Sequence, residues 1–350
     1  MSVLTVVGEG EYAVAGDYLV ALQEFAAEKG ITPQVLLRDT GIALSALIKP
    51  NIRVGHIAMT HAVKNLITAI PDPLLAIEYG KRLTISKHGV LGFAAQSSPT
   101  LRGAASLLIQ FVNTRSGGGE ELELIEKNNM ACLRIRHESQ YTDHAVARFH
   151  LLSLFVCLES IGRWLVGKSQ EVVETEIGLS FPCIAEIPPE ILSPGLTIKF
   201  DQLFNELRCP VGYLDQPLIY ANAALEAAAQ QECEAELVKL RLTSDISSVV
   251  RMEIRNEIGR LPSIELIAER LHMSSRTLKR RLQDAGTTYQ KIKDDERCRK
   301  AMYLLESTSD NLEKIAEQLG YSDASNFTKA FKNWADLSPN EFRVKVHAKT

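Results

Sequence analysis

Ile267-Ala268-Glu269-Arg270-Leu271 and, 48 positions later, Ile315-Ala316-Glu317-Gln318-Leu319 are two copies of one pattern. In each, Ile and Leu stand four apart on one helical face, Ala lies between them, and charged or amide side chains turn outward. Each copy is followed by a turn and a second periodic run, with Leu278 and Leu282 in the first and Phe327 and Phe331 in the second. The offset is 49 in these second runs, so the second turn is one residue longer than the first. Two short amphipathic helices joined by a turn, and repeated, predict a duplicated helix-turn-helix over 263–283 and 310–333. Ser263 and Asp310 stand at the expected helix starts, Asp310 with Glu313 three residues on, as a capping box requires. Ser274 and Ser322 precede the second helices in the same way.

Turning Leu278 and Leu282 inward leaves Arg276, Lys279, Arg280 and Gln283 on one outer row, at the spacing i, i+3, i+4, i+7, with Ser275 beside it. The second copy offers Ser325, Thr328, Lys329 and Lys332 at the shifted positions, with Asn326 next to them. Every one of these side chains is cationic or hydrogen-bonding. A helix with such a row can enter a major groove, where Arg reaches guanine O6 and N7 and Asn or Gln reaches adenine. Between the units, Thr288 to Ser307 has neither Gly nor Pro and predicts one helix. Its ~20 residues span ~30 Å, close to the ~34 Å that separates successive major grooves on one face of DNA. Ser338-Pro339-Asn340-Glu341 then reads as a helix start that brings Phe342 and Val346 onto the second unit.

A helical bundle with merely solvated charged faces is the competing reading, and the duplication weighs against it. The stretch IAEQLGYSDASNFTKAFKNWADLSPNEFR, beginning at Ile315, resembles the signature of the AraC/XylS family of bacterial transcription regulators. The resemblance covers roughly the last 105 residues. It implies a seven-helix DNA-binding domain whose base-contacting positions fall on Arg276, Lys279, Arg280, Ser325, Asn326 and Lys329. One position departs from the internal repeat: the second turn has Gly320 where the first has His272, a residue less tolerant of left-handed backbone. A slightly different angle is therefore expected in the first turn.

Charge divides unevenly along the 350 residues. Positions 245–350 hold 19 Lys and Arg against 16 Asp and Glu, while the whole chain is at −4. A weakly basic C-terminal part facing an acidic remainder predicts modest, salt-sensitive attraction to phosphate, confined to that part. The composition, 45% hydrophobic and 23% charged, is that of an ordinary globular protein. Cys132, Cys157, Cys183, Cys209, Cys233 and Cys298 are scattered, form no C-x-x-C pair, and are expected to be buried reduced thiols. The start, MSVLTVVGEGEYAVAG, lacks the pattern of a signal peptide, and no apolar run of roughly 18 residues is evident, so a cytoplasmic protein without a membrane span is expected.

The first two thirds read as α+β. Helices are expected over Asp17 to Lys29, from Thr32-Pro33, over His56 to Ala69, over Leu74 to Leu83, after Ser98-Pro99 through Phe111, and over His144 to Gly167. Glu120 to Lys127 and Met130 to His137 alternate around Asn128-Asn129 and predict a hairpin, Glu171 to Phe181 a third strand, and Pro182 to Pro194 an irregular stretch. Glycines 117 to 119 follow a helix and precede a strand, the reverse of the order a phosphate loop needs. Ala221 to Leu242 is a helix with Leu225, Ala228 or Ala229, Leu237 and Leu240 available for one seam. It is expected either to link the domains and pair two subunits or to pack on its own domain.

Residues 1 to about 220 resemble the arabinose-binding-like sensor domain of AraC-type regulators, of the ornithine-utilisation kind, through Gly89-Val90-Leu91-Gly92, Ser98-Pro99-Thr100-Leu101 and Leu214-Asp215-Gln216-Pro217-Leu218. This implies a small-molecule inducer: an amino acid, a fatty acid or a related metabolite. Its pocket residues are not legible. Arg134, Arg136 and His137 are conceivable carboxylate partners, although strand arginines more often face water. No H-E-x-x-H and no His/Cys cluster at metal spacing is present, so neither a metal, a cofactor nor a catalytic residue is expected. Cys183 invites comparison with AraC-linked DNA-repair alkyltransferases, but Ile184 and Ala185 follow where those proteins carry His and Arg, and an inert buried thiol is expected.

The chain is thus expected to be an α+β N-terminal sensor domain (1–220) and a helical linker (221–244), followed by an all-α C-terminal domain with two helix-turn-helix units (245–350). The expected function is an inducer-controlled transcription activator. Its expected partners are double-stranded DNA, a second copy of itself and RNA polymerase. The alternative is a DNA-binding regulator whose N-terminal domain only dimerises or binds protein.

Overall fold

The computed structural model describes all residues except 1–4, 7–12, 48–51, 117–119, 138–142, 168–171, 184, 244–245, 256–260, 309 and 349–350. The chain divides into two compact units, Met1–Thr243 and Ser244–Thr350.

The N-terminal unit is mixed α/β. Its strands are β1 (Thr5–Val6), β2 (Ala13–Ala15), β3 (Arg53–Gly55), β4 (Glu120–Lys127), β5 (Met130–His137), β6 (Thr175–Gly178), β7 (Leu196–Lys199) and β8 (Asn205–Pro210). Its helices are α1 (Asp17–Glu28), α2 (Pro33–Leu36), α3 (His56–Ala69), α4 (Leu75–Arg82), α5 (Gly89–Ser97), α6 (Leu101–Phe111), α7 (Asn113–Ser116), α8 (His144–Val166), α9 (Val211–Leu214) and α10 (Ala223–Thr243). One sheet has the order β1-β3-β2 and the other β4-β5-β8-β6-β7, in which only β6 and β7 run parallel. The hairpin lies where the alternation places it, with Asn128 and Asn129 both at positive φ, 51° and 62°, as a two-residue turn of matching twist requires. The third strand is shorter than expected, and β7 and β8 escape the sequence reading: β8 inserts between β5 and β6, a non-local pairing that its own mixed pattern does not announce. Helix α5 was likewise visible only as part of the family resemblance. Helix α6 is capped by Thr100, whose hydroxyl accepts from Gly103 N, rather than by Ser98.

Helix α8 forms the centre of the main core. Leu152 and Phe155 are fully buried, and Tyr79 of α4 stacks on Phe149 with ring centres 5.5 Å apart. Gly80 of α4 lets the two helices approach so closely that a Cβ there would lie 2.5 Å from the Ser153 carbonyl oxygen. The expectation that no segment is long and apolar enough to cross a membrane is corrected here, because α8, at 23 residues, passes that test by length and composition. It is instead the core helix of this unit, and it carries Glu159, 3% exposed, bonded to Arg163, Thr175 and Ser193.

Helix α10 packs on its own unit. Cys233 is fully buried among Leu91, Ala94, Leu107 and Phe111, flanked by Ala229 and Leu237 one turn either way. The seam is therefore Ala229, Cys233 and Leu237, and Leu225 stands 59% exposed, off the seam to which it was assigned. The Leu240 side chain lies outside the described residues. Polar ties add to the seam, from Ser98 Oγ to Glu226 at 2.8 Å and from Arg53 to Glu236 at 3.3 Å.

The C-terminal unit is helical throughout: α11 (Ile246–Arg255), α12 (Ile264–Arg270), α13 (Ser275–Asp284), α14 (Tyr289–Ser307), α15 (Leu312–Gln318), α16 (Ala324–Ala335) and α17 (Pro339–Ala348). Ile267, Leu278, Leu282 and Ile292 close one core with Val250 and Ile254. In the second half, Phe331 meets Phe327 and Phe342 edge-on, at 5.8 and 5.5 Å between ring centres. Helix α17 begins with the reciprocal box that its sequence announces, Glu341 N donating to Ser338 Oγ at 3.3 Å and Ser338 N to Glu341 Oε2 at 2.7 Å. Ser263 and Ser274 cap α12 and α13 as expected. Two caps shift by one residue: Asn311, not Asp310, caps α15, and Asp323, not Ser322, caps α16. Asp310 binds Lys314 at 2.8 Å instead, and the Arg343 guanidinium donates to its carbonyl oxygen at 2.6 Å, fastening α17 to the second unit. The Arg343 fastener depends on tertiary placement, 33 positions apart, and the chain offers two adjacent capping residues at each site, so the sequence alone does not discriminate between them.

Candidate nucleic-acid interface and cavity

The orientation of α13 is set by what it buries. Leu278 and Leu282 are 0% exposed, and the Ser274 hydroxyl accepts from Thr277 N at 3.1 Å, closing the helix start. With that face pinned, Arg276, Lys279, Arg280 and Gln283 all emerge exposed along the opposite row, and Ser275 is half-buried at the first helical position. Arg276, Lys279 and Arg280 make no ion pair among the described residues, so three cations within about one helical turn are available to an anionic partner. The exposed Arg281 lies on the same helix outside the row and was not singled out by spacing.

Helix α16 repeats the arrangement with Phe327 and Phe331 fully buried and Ser325, Asn326, Lys329 and Lys332 exposed. Two of its candidates are already engaged. Thr328 is half-buried and its hydroxyl donates back to the Ala324 carbonyl at 2.7 Å. The Asn326 amide donates to Ser322 Oγ at 3.0 Å and to Asp323 Oδ2 at 2.8 Å, so it must leave the cap before pairing with a base edge. The Asp323 carboxyl, which accepts from Asn326 N at 2.7 Å, is held below its ordinary 3.8 by that backbone bond first and by the Ser322 hydroxyl next. Between the two turns, the uninterrupted 19 residues of α14 span ~29 Å.

The turns themselves match. Both end in a pair of bonds that close the first helix: His272 N to Glu269 O and Met273 N to Ala268 O in one, Gly320 N to Glu317 O and Tyr321 N to Ala316 O in the other. His272 adopts left-handed φ of 52°, against 76° for Gly320. The expected difference in angle is thus absorbed as strain at one residue rather than as a different turn. Asn and His are among the non-glycine residues that tolerate this region best.

In the N-terminal unit a cavity of about 1100 Å³, its mouth included, opens among α1, α3, α8 and the ends of α6 and α7. A second space of about 920 Å³ adjoins it, and His88, Leu91, Leu108 and Leu158 form the shared wall. Most of the lining is apolar. Three of its polar groups are tied into one chain, in which the Tyr18 hydroxyl bonds His88 Nδ1 at 2.9 Å and His88 Nε2 meets Cys157 Sγ at 3.4 Å. The Cys157 thiol donates to the Leu83 carbonyl oxygen at 3.2 Å, and burial pushes its pKa well above the ordinary thiol value. Arg115, only 6% exposed, lines the cavity and pairs with the Asp17 carboxylate.

The hairpin residues proposed as carboxylate partners do something else. Arg134 neither faces water nor lines either cavity. It is 3% exposed, paired with Glu206 at 2.7 Å and stacked 3.5 Å from the centre of the Phe204 ring. Arg208 and Glu176 extend this network across the sheet. The side chains of Arg136 and His137, and glycines 117 to 119, lie outside the described residues. Cys183 is exposed rather than buried, its thiol donating to the Ala185 carbonyl oxygen at 3.4 Å. The irregular proline-rich loop holds it at the surface, which composition alone could not reveal.

A mixed α/β unit with an internal cavity, followed by two capped helix-turn-helix units with outward cations, defines the class of a DNA-binding regulator. A profile described as the arabinose-binding domain of AraC transcription regulators, N-terminal, matches residues 30–218, and one described as a helix-turn-helix domain matches 267–345. The chain belongs to the AraC family of transcription regulators. It is 32% identical over 326 residues to the ornithine utilization regulator of Pseudomonas aeruginosa, covering 93% of this chain and 95% of that protein. A helix-turn-helix regulator of the same organism, VqsM, is 41% identical over 86 residues, 25% of this chain and 26% of that one. The solved structure of the transcriptional regulator CdpR from P. aeruginosa aligns with 93% of this chain and 98% of its own, at 22% identity and a TM-score of 0.47.

Proposed function

We propose that the protein is a transcription activator that binds paired DNA sites as a homodimer, α13 and α16 reading neighbouring major grooves, and that a small molecule held in the N-terminal cavity controls it. In this reading residues 1–220 sense the ligand, 221–244 connect, and 245–350 bind DNA. The observation that carries the reading is the exposed row Arg276, Lys279, Arg280 and Gln283 on a helix whose opposite face is locked by Leu278 and Leu282. Base contact by this row, with Ser275, Ser325, Asn326, Thr328, Lys329 and Lys332 contributing, accounts for sequence preference, and a second subunit doubles the contacts. Activation is supported by partial matches to the Escherichia coli proteins named transcriptional activators CsvR and CfaD, and in this reading it acts through contact with RNA polymerase in the cytoplasm.

Footprinting on host genomic fragments, followed by transcription in vitro with and without host metabolite extract, tests it. Protected sites in successive major grooves and extract-dependent transcription are expected. Protection without any response to extract would favour the alternative, an N-terminal unit that only dimerises or binds protein.

A further inference from the structure

The cavity of the N-terminal unit carries information about the charge of its occupant. Among the described lining residues of the first, larger space there is one permanent charge, Arg115, and no carboxylate, Glu159 lining only the adjoining one. The remaining polar groups carry no permanent charge: Tyr18, His56, Thr60, His88 and His150 among them. The rest is hydrocarbon and aromatic surface contributed by residues such as Val63, Leu108, Val112, Leu122 and Phe149.

Arg115 is held in an uneven pair. The guanidinium is 6% exposed, whereas its partner carboxylate, Asp17, is 54% exposed. One nitrogen serves both Asp17 and the Lys87 carbonyl oxygen, the latter at 3.2 Å, and the guanidinium carbon lies 5.4 Å from the centre of the Tyr18 ring. Its Nε–H is buried and has no hydrogen-bond partner. A cation withdrawn from water needs an anion, while a carboxylate at the surface is released to solvent easily, so the pair can exchange its outer member. Burial opposes the Arg115 charge, yet Tyr18 and Asp17 outweigh that and keep the group above its ordinary pKa. Arg115 therefore remains a cation facing an apolar chamber.

We propose that the cavity receives an apolar monocarboxylate, its hydrocarbon part among the aliphatic walls and its carboxylate on Arg115 in place of Asp17 or beside it. This rests on the reading of the cavity as the inducer site and names the chemistry of that inducer. It also sets the first space apart from a site for diamino acids, because two ammonium groups there would meet no carboxylate among its described lining residues.

Calorimetric titration of the full-length protein with octanoate, octan-1-ol, octylamine and ornithine tests the proposal. Octanoate is expected to bind about tenfold tighter than the alcohol, as one charge-assisted anchor provides, with no saturable binding of the amine or of ornithine. Arg115→Gln should bind the alcohol as the parent does and lose the preference for carboxylate. Asp17→Asn, at an exposed position, should strengthen octanoate binding, and it keeps the test decisive if the arginine variant does not fold. Equal binding of octanoate and octan-1-ol, or an unchanged octanoate affinity in Asp17→Asn, would overturn the proposal. Saturable ornithine binding in place of octanoate overturns it too, but leaves the inducer reading standing. Failure of all four probes to bind overturns the proposal, while the inducer reading falls only if transcription also fails to respond to the metabolite extract.

Discussion

His272 and Gly320 occupy the same left-handed backbone position, φ 52° and 76°, in two turns that end their helices with the same pair of hydrogen bonds. Only one of them has a side chain to be strained there. Replacing His272 by Gly should therefore stabilise the C-terminal unit by about 1 kcal/mol, and a β-branched residue such as Val should destabilise it by at least as much. Urea unfolding of the full chain, followed through this unit, checks both directions. The Gly variant should keep the DNA affinity, since the turn geometry is already that of its glycine counterpart.

The exposed row on α13 makes a different kind of prediction. Arg276→Ala or Arg280→Ala should lose about 1 to 3 kcal/mol of discrimination at one base position while the protein remains folded. Binding-site selection from a randomised duplex pool measures this. An unchanged consensus in both variants would show that the row does not read bases.

Three carboxyl groups of the C-terminal unit are held below their ordinary values: Asp310 by Lys314 first, Asp323 by Asn326 N first and Glu341 by Ser338 first. A depressed folded pKa contributes stability above the unfolded value, and that contribution is lost as pH falls through the folded value. Melting temperature should therefore drop on acidification below the ordinary 3.8 to 4.5 of these groups. Asp323→Asn retains a capping residue without the titration. Its melting curves should show a shallower acid slope than the parent.

Buried charge in the sheet should be costly to disturb on one side. Glu206, 2% exposed, bonds Arg134 and Arg208, so Glu206→Ala leaves Arg134 without its nearest anion in a site that water does not reach. A loss of about 3 kcal/mol or more is expected in denaturant unfolding of the N-terminal unit.

The approach of α4 to α8 gives a steric counterpart. A methyl group at Gly80 would meet backbone, the Ser153 carbonyl oxygen, rather than a side chain that could move aside. Gly80→Ala should cost about 1 to 3 kcal/mol despite the better helix propensity of alanine. A variant as stable as the parent would mean that the two helices separate freely.

What the amino-acid sequence determined by itself is what depends on neighbours a few positions apart. The two copies of the helix-turn-helix, the longer second turn, the unbroken α14, the capping box of α17 and the Asn128-Asn129 hairpin all follow from spacing of three or four residues, or of two, and from turn chemistry. The outward row of α13 was legible for the same reason, since burying Leu278 and Leu282 leaves a helix one way to face. Tertiary structure decided the rest. Insertion of β8 between β5 and β6, the choice of Ala229, Cys233 and Leu237 as the α10 seam, and the burial of Arg134 against Glu206, 72 positions away, come from pairings that no local pattern encodes. The cavity is the extreme case. Its charge is set by Arg115 and Asp17, 98 positions apart, and a carboxylate and a guanidinium that distant become neighbours only when packing of the whole unit has closed around them.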